Sequence, residues 1–213
     1  MKRERYLLSV LIVGLFILTG CKKTINTKTE LKENAQTVIT QLETQKKQLT
    51  VIEDTYNQLQ QQMPAAQKKN PGTNLLDDQD SKVYQLNQKA QDATDKVAAS
   101  QKIIEKINQR LKDTATEKLD NLPNSAILKL TQSLHIVQLD HESFNKFITA
   151  YKKDQTDLYR NAPELLDEHA EELDELVSQN TQYLGAVNQQ LEILQVNINS
   201  SLSSAQNLLA NLN

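Results

Sequence analysis

After residue 27, apolar residues recur at alternating spacings of three and four, which lines one face of a long helix. The first such seam reads Leu31, Ala35, Val38, Leu42, Leu49, Ile52, Tyr56, Leu59 and Met63, with Gln45 as its one polar position. Thr27 and Glu30 have the spacing of a capping box and predict its start. Pro64, Pro71 and Gly72 predict a connection over 64–77. A second seam follows from Val83 through Leu86, Ala90, Ala93, Val97, Ser100, Ile104 and Ile107 to Leu111, fading towards Leu122. Thr114 and Glu117 repeat the capping-box spacing and predict a kink there. Beyond Pro123 a third seam reads Ile127, Leu130, Leu134, Val137, His141, Phe144, Ile148, Tyr151 and Leu158. Pro163 is expected to open the fourth helix, the site that best tolerates proline. The last seam comprises Leu166, His169, Leu173, Leu176, Asn180, Tyr183, Val187, Leu191, Leu194, Ile198, Ala205 and Leu209.

No strand period competes with these seams. The expected fold is all-α: an elongated antiparallel bundle of three to four long, coiled-coil-like helices with left-handed packing. Helices of about 35 to 50 residues would be roughly 50 to 70 Å long. Ala, Ser, Gln, Asn and His occupy many seam positions, which predicts a slender bundle with several polar layers.

Composition narrows the picture. Aromatic residues are 4% of the 213, and there is no tryptophan, which disfavours β-sandwiches and barrels. The four glycines, Gly14, Gly20, Gly72 and Gly185, are too scattered for a Rossmann fingerprint or a P-loop.

The chain begins differently from how it continues. Lys2, Arg3 and Arg5 precede an apolar run from Leu7 to Thr19, which is shorter than the about 20 residues of a spanning helix. A basic start, a short apolar run and small residues at its end describe a secretory signal. The run closes on Leu18-Thr19-Gly20-Cys21, and Cys21 is the only cysteine. This motif resembles the lipobox of bacterial lipoproteins. The resemblance implies a diacylglyceryl thioether on Cys21, cleavage after Gly20, and in some cases a further acyl chain on the new amino terminus. It predicts a cleaved signal at 1–20, a lipidated cysteine and tether at 21–28, and one helical-bundle domain at 29–213. Two acyl chains anchor a protein stably where one does not. The expected location is therefore the outer face of the plasma membrane, with the membrane as partner through Cys21.

Net charge is −3, and beyond residue 20 there are 21 basic and 26 acidic residues, net −5. Such a chain is a poor ligand for nucleic acid. Metal chemistry finds no purchase in the three histidines. The residues three positions before His135, His141 and His169 are Gln132, Gln138 and Leu166, so the Glu-x-x-His pair of di-iron bundles is missing. Glu172 follows His169 by three, but a zinc or iron site needs three or four ligands. Ser133 and Ser143 lie near His141 on one helix without an acid partner, and Gly-x-Ser-x-Gly is absent. Neither an enzyme nor a cofactor is expected, apart from the covalent lipid.

Two clusters offer an interaction surface. Glu164, Asp167, Glu168, Glu171, Glu172, Asp174 and Glu175 form the densest acidic run, which also suits the start of a helix. Tyr151, Lys152, Lys153, Tyr159 and Arg160 set aromatics beside cations, a combination that could stack on sugars or bind an anionic polymer. The alternative is that Tyr151 belongs to the seam and the cations face water.

A lipobox followed by a Gln-, Lys- and Glu-rich helical chain resembles the YkyA-like cell-wall-binding lipoproteins of Gram-positive bacteria. The resemblance extends through Phe144-Asn145-Lys146-Phe147, Tyr151-Lys152-Lys153, Leu158-Tyr159 and the long last helix. It implies association with a cell-wall polymer or another surface protein, and no catalytic residue. The expectation is a scaffold or interaction lipoprotein at the membrane–wall interface. The alternatives are a substrate- or ion-binding lipoprotein serving a transporter, and a subunit of a coiled-coil assembly.

Overall fold

The computed structural model describes the backbone of residues 2–117, 119, 121–165 and 170–213, and the side chains of 26–117, 119, 121–165 and 171–213. Four helices make up the fold: α1 (Lys2–Lys69), α2 (Lys82–Glu117), α3 (Asn124–Leu165) and α4 (Ala170–Asn211). Among the described residues there is no strand. The chain is an all-α bundle.

Side-chain bonds between helices fix their directions. On α1 and α4, Lys46 Nζ donates to Asn199 Oδ1 at 3.0 Å and Asn188 Nδ2 donates to Asn57 Oδ1 at 3.2 Å, so rising numbers on one meet falling numbers on the other. The α3–α4 pair behaves likewise, with Asn197 Nδ2 on Asp140 Oδ2 at 2.7 Å and Asn180 Nδ2 on Asp154 Oδ2 at 2.8 Å. Short links join the helices and leave each antiparallel to the next. Helices α1 and α3 are diagonal and parallel, and they meet only through the core. His141 reaches Gln45, and the rings of Tyr56 and Tyr151 meet edge to face with centroids 4.8 Å apart.

The first buried residue of α1 is Leu31, and the last of α4 is Leu212. The antiparallel register puts both at the end of the bundle that carries the α2–α3 link. The α1–α2 loop and the α3–α4 link share the opposite end. From Leu31 to Lys69 the bundle is ~57 Å long at 1.5 Å per residue. The far-end loop is built by its own residues. Gly72 has the positive φ (79°) that a type II turn demands after Pro71. Ser81 caps α2, its Oγ accepting from the Tyr84 N–H at 2.9 Å.

The seams of α1, α2 and α3 are buried at every expected position, Gln45 and His141 included. Five expectations change. Helix α1 does not begin at Thr27; it is continuous from Lys2 through the segment expected to be a tether. Pro64 does not end it, because α1 runs on to Lys69. A proline inside a helix loses one hydrogen bond and crowds the carbonyl four residues back, a local cost that packing on α2 and α4 outweighs. Pro163 lies inside the end of α3 rather than at the start of α4. Thr114 starts no second segment, since its Oγ1 donates to the Arg110 carbonyl at 3.0 Å within an unbroken α2. In α4 the seam takes Leu184 and Leu208, while Tyr183 is exposed and Leu209 half-buried. Leu166 and His169 lie outside the described residues.

Candidate functional site

Two clusters of hydrogen-bonded buried polar side chains stand out in the bundle interior. Near its middle, His141 Nε2–H donates to Gln45 Oε1 at 3.0 Å, Gln45 Nε2 donates to Gln101 Oε1 at 3.1 Å, and Gln101 Nε2 donates to Glu105 Oε1 at 3.1 Å. The bonds run in one direction, from α3 through α1 to α2, and carry polarity from the core to the rim. Both amides of this layer, Gln45 and Gln101, therefore have partners, as low-dielectric surroundings require. Burial lowers the His141 pKa to about 4, so the ring is neutral at physiological pH. The Gln45 carbonyl fixes its proton on Nε2. The histidine is a buried hydrogen-bond donor to Gln45.

The second region lies nearer the far end. Tyr56, Tyr151 and Tyr159 are all buried, and Gln155 Nε2 donates to the Tyr151 hydroxyl at 3.0 Å. Burial raises all three phenol pKa values, with Tyr56, Tyr159 and Asp154 adding to the effect at Tyr151. A void of about 10 Å³ is lined by Gln60, Tyr151, Gln155, Tyr159 and Asn180 among others. The Tyr159 hydroxyl and Gln60 Oε1 are buried without a protein partner. The void matches one water molecule in size and offers the polar partners a water needs.

This arrangement corrects half of the expected aromatic–cation surface. Tyr151 and Tyr159 sit at 0% and 1% exposure, so neither ring can stack on a sugar. Both occupy the core-facing row of α3, where a large ring buries more apolar area than anywhere on the rim. Lys152 is half-buried, its Nζ donating to Gln91 Oε1 on α2 at 2.7 Å. Desolvation lowers its pKa, with Asp95 opposing the shift. Lys153 and Arg160 are exposed, and Arg160 pairs with Asp157 at 3.0 Å one turn back.

The acidic residues gather at the far end. Glu164 on α3 faces Glu172 and Glu175 on α4 across an open groove that also takes in Asn161, Leu165, Leu176 and Gln179. Glu171 is exposed in the first turn of α4, where a carboxylate complements the helix dipole. Asp167 and Glu168 lie outside the described residues. Among the described residues no three His, Cys, Asp or Glu side chains converge as metal ligands.

At the other end, Leu18, Thr19, Gly20 and Cys21 belong to the backbone of α1, and their side chains lie outside the described residues. Among the described residues no helix is long and apolar enough to cross a membrane. Sequence reasoning missed the partners Gln101 and Gln155, which sit beside the seams at positions where a glutamine is ordinarily solvated. No family model, no curated protein and no solved structure matches the chain.

Proposed function

We propose that the chain is a lipid-anchored, extracytoplasmic protein without enzymatic activity, held on the outer face of the plasma membrane by acylated Cys21. Its bundle acts as a spacer and interaction scaffold towards the cell wall. The observation that carries this reading is the motif Leu18-Thr19-Gly20-Cys21 at the end of a short apolar run behind a basic amino terminus. The architecture suits the role. The packed bundle starts at Leu31, ten residues after Cys21, and the acidic far end stands ~57 Å away along the axis. The contacts on offer are then Lys153, Arg160 and the carboxylates of Glu164 and Glu171. The resemblance to YkyA-like lipoproteins adds the cell-wall polymer as the first partner to test.

Two experiments test the reading. In a Gram-positive host, the native chain should incorporate labelled palmitate and fractionate with membranes, whereas Cys21→Ser should do neither. Label or membrane retention in Cys21→Ser would overturn lipid anchoring. Separately, the chain released from membranes should be retained by purified wall sacculi, with retention changing when anionic polymers are stripped or salt is raised. Absence of retention would move the partner from the wall to another surface protein.

A further inference from the structure

An open groove of about 510 Å³ runs between α1 and α2, within the size range of small-ligand sites and at a place where helical bundles commonly hold them. Its longer wall is one row of α2 at four-residue spacing: Tyr84, Gln88, Asp92 and Lys96. From Tyr84 to Lys96 that row is ~18 Å long. Lys89 lies in the adjoining row of α2, and α1 contributes Gln48 and Val51.

The polar groups of this groove are not engaged with the protein. Among the described residues, neither the Tyr84 hydroxyl nor the side chains of Gln48, Gln88, Lys89, Asp92 and Lys96 bond to another protein group. Elsewhere on α2, a glutamine four residues before an acid bonds to it. Gln91 donates to Asp95 at 2.9 Å, Gln101 to Glu105 at 3.1 Å and Gln109 to Asp113 at 2.9 Å. Gln88 and Asp92 share that spacing but make no such bond, and both lie in the groove. Tyr84 differs from the tyrosines of the core in the same sense. Tyr56, Tyr151 and Tyr159 are buried, whereas Tyr84 is half-buried and lines the groove. Its backbone is held in the first turn of α2 by the Ser81 cap.

We propose that this groove binds a linear glycan of N-acetylated amino sugars. A sugar ring combines an apolar C–H face with a rim of hydroxyls. The groove offers the matching set: the flat Tyr84 ring for the face, and amides and a carboxylate for the rim. An acetamido group donates and accepts through one amide, as Gln48 and Gln88 do. The row is longer than one sugar ring, so it suits a chain. Two lysines against one aspartate make the groove locally basic on a chain of net −3, which admits carboxylates borne by such a glycan. A peptide helix laid here would need a row of apolar pockets, and Val51 and Ala93 supply little apolar surface. A flexible polyol phosphate has no ring face for Tyr84. The inference rests on the reading of the chain as a wall-binding protein and names the glycan strand, rather than the anionic polymer, as its ligand.

The test titrates the isotope-labelled full chain, in mild detergent, with a soluble chito-oligosaccharide. In parallel the chain is mixed with wall sacculi before and after the anionic polymers are stripped. Amide signals of residues 84–96 should shift saturably, and stripping should raise retention by uncovering glycan. Gln88→Ala with Asp92→Ala, both at exposed positions and therefore neutral for the fold, should weaken binding about tenfold, the weight of one well-placed contact. Tyr84→Ala should weaken it similarly, whereas Tyr84→Phe keeps the ring and should bind like the native chain. Signals of 84–96 unmoved by the oligosaccharide would overturn the proposal. So would retention that vanishes with the anionic polymers, or that Tyr84→Ala and the double variant both keep in full. Those two results leave wall binding itself standing. A native chain that no sacculus retains would sink wall binding, and the oligosaccharide titration would still decide the groove.

Discussion

His141 on α3 donates to the side-chain carbonyl of Gln45 on α1 across the diagonal of the bundle, at 3.0 Å. Helices on opposite corners of a four-helix bundle rarely communicate except through the core, and here the contact is directional. Gln45 can accept from His141 only while its amide donates to Gln101. Sliding α1 against α2 or α3 by one turn would leave several buried polar groups unpaired. The layer thus specifies register, as a polar seam residue does in coiled coils.

Acid should weaken the fold through this histidine. An unfolded chain takes up a proton on His141 as pH falls below about 6.5, whereas the folded chain resists until about 4. Proton uptake favours the unfolded state between those values, so the contribution is complete above pH 6.5 and declines as pH falls towards 4. The full shift is worth ~3 kcal/mol. His141→Gln should lose markedly less stability than the native chain between pH 7 and pH 4.5, measured by urea unfolding at each pH.

Gln45→Leu should cost ~3 kcal/mol, since it strands the His141 N–H and the Gln101 carbonyl in the core. Replacing Gln45, Gln101 and His141 together by leucine should restore most of that stability, because an apolar layer leaves nothing unsatisfied. The cost should appear instead in specificity, as broadened amide signals in a nuclear magnetic resonance spectrum.

The placement of Tyr151 separates core from surface. Tyr151→Ala should destabilise by ~3–5 kcal/mol, and Lys153→Ala two residues away by less than ~0.5 kcal/mol. Thermal unfolding of the two variants distinguishes them at once. At Tyr159, removal of the hydroxyl in Tyr159→Phe should cost ~1 kcal/mol, as expected of a hydroxyl that a water in the adjoining void would bond. A stabilised Tyr159→Phe would mean that the hydroxyl is buried dry.

Pro64 is exposed inside α1, where it contributes no N–H. Pro64→Ala should restore the bond to the Gln60 carbonyl and raise stability by ~1–3 kcal/mol. The midpoint of chemical denaturation should rise with unchanged slope.

Much of this fold is legible in the sequence because a heptad seam is a local signal: spacing alone picks out Leu31 to Met63 as one face. Legibility fails where spacing does not decide. At Tyr183-Leu184 and Leu208-Leu209 two adjacent residues are both apolar, and only the fixed positions of Asn180, Val187 and Ala205 in the packed bundle choose between them. Prolines mislead for a related reason. Their cost is local, and the packing that outweighs it at Pro64 is not. The candidate site is legible in part. A polar seam position announces Gln45, but its partner Gln101, itself bonded to Glu105, comes from another helix. Tyr151 and Lys152 look alike as neighbours in sequence, yet one step of about 100° around the helix separates core from rim.

The alternation of helix direction also sorts the molecule's accessible points by end. Asn213 emerges beside the α2–α3 link and the point where the chain enters the bundle, while Gly72 turns at the opposite tip. A proximity-labelling enzyme fused after Asn213 would therefore mark neighbours of the entry end, and the same enzyme inserted at Gly72 would mark those ~57 Å further out. Comparing the two labelled sets would map, layer by layer, the surroundings in which the protein stands.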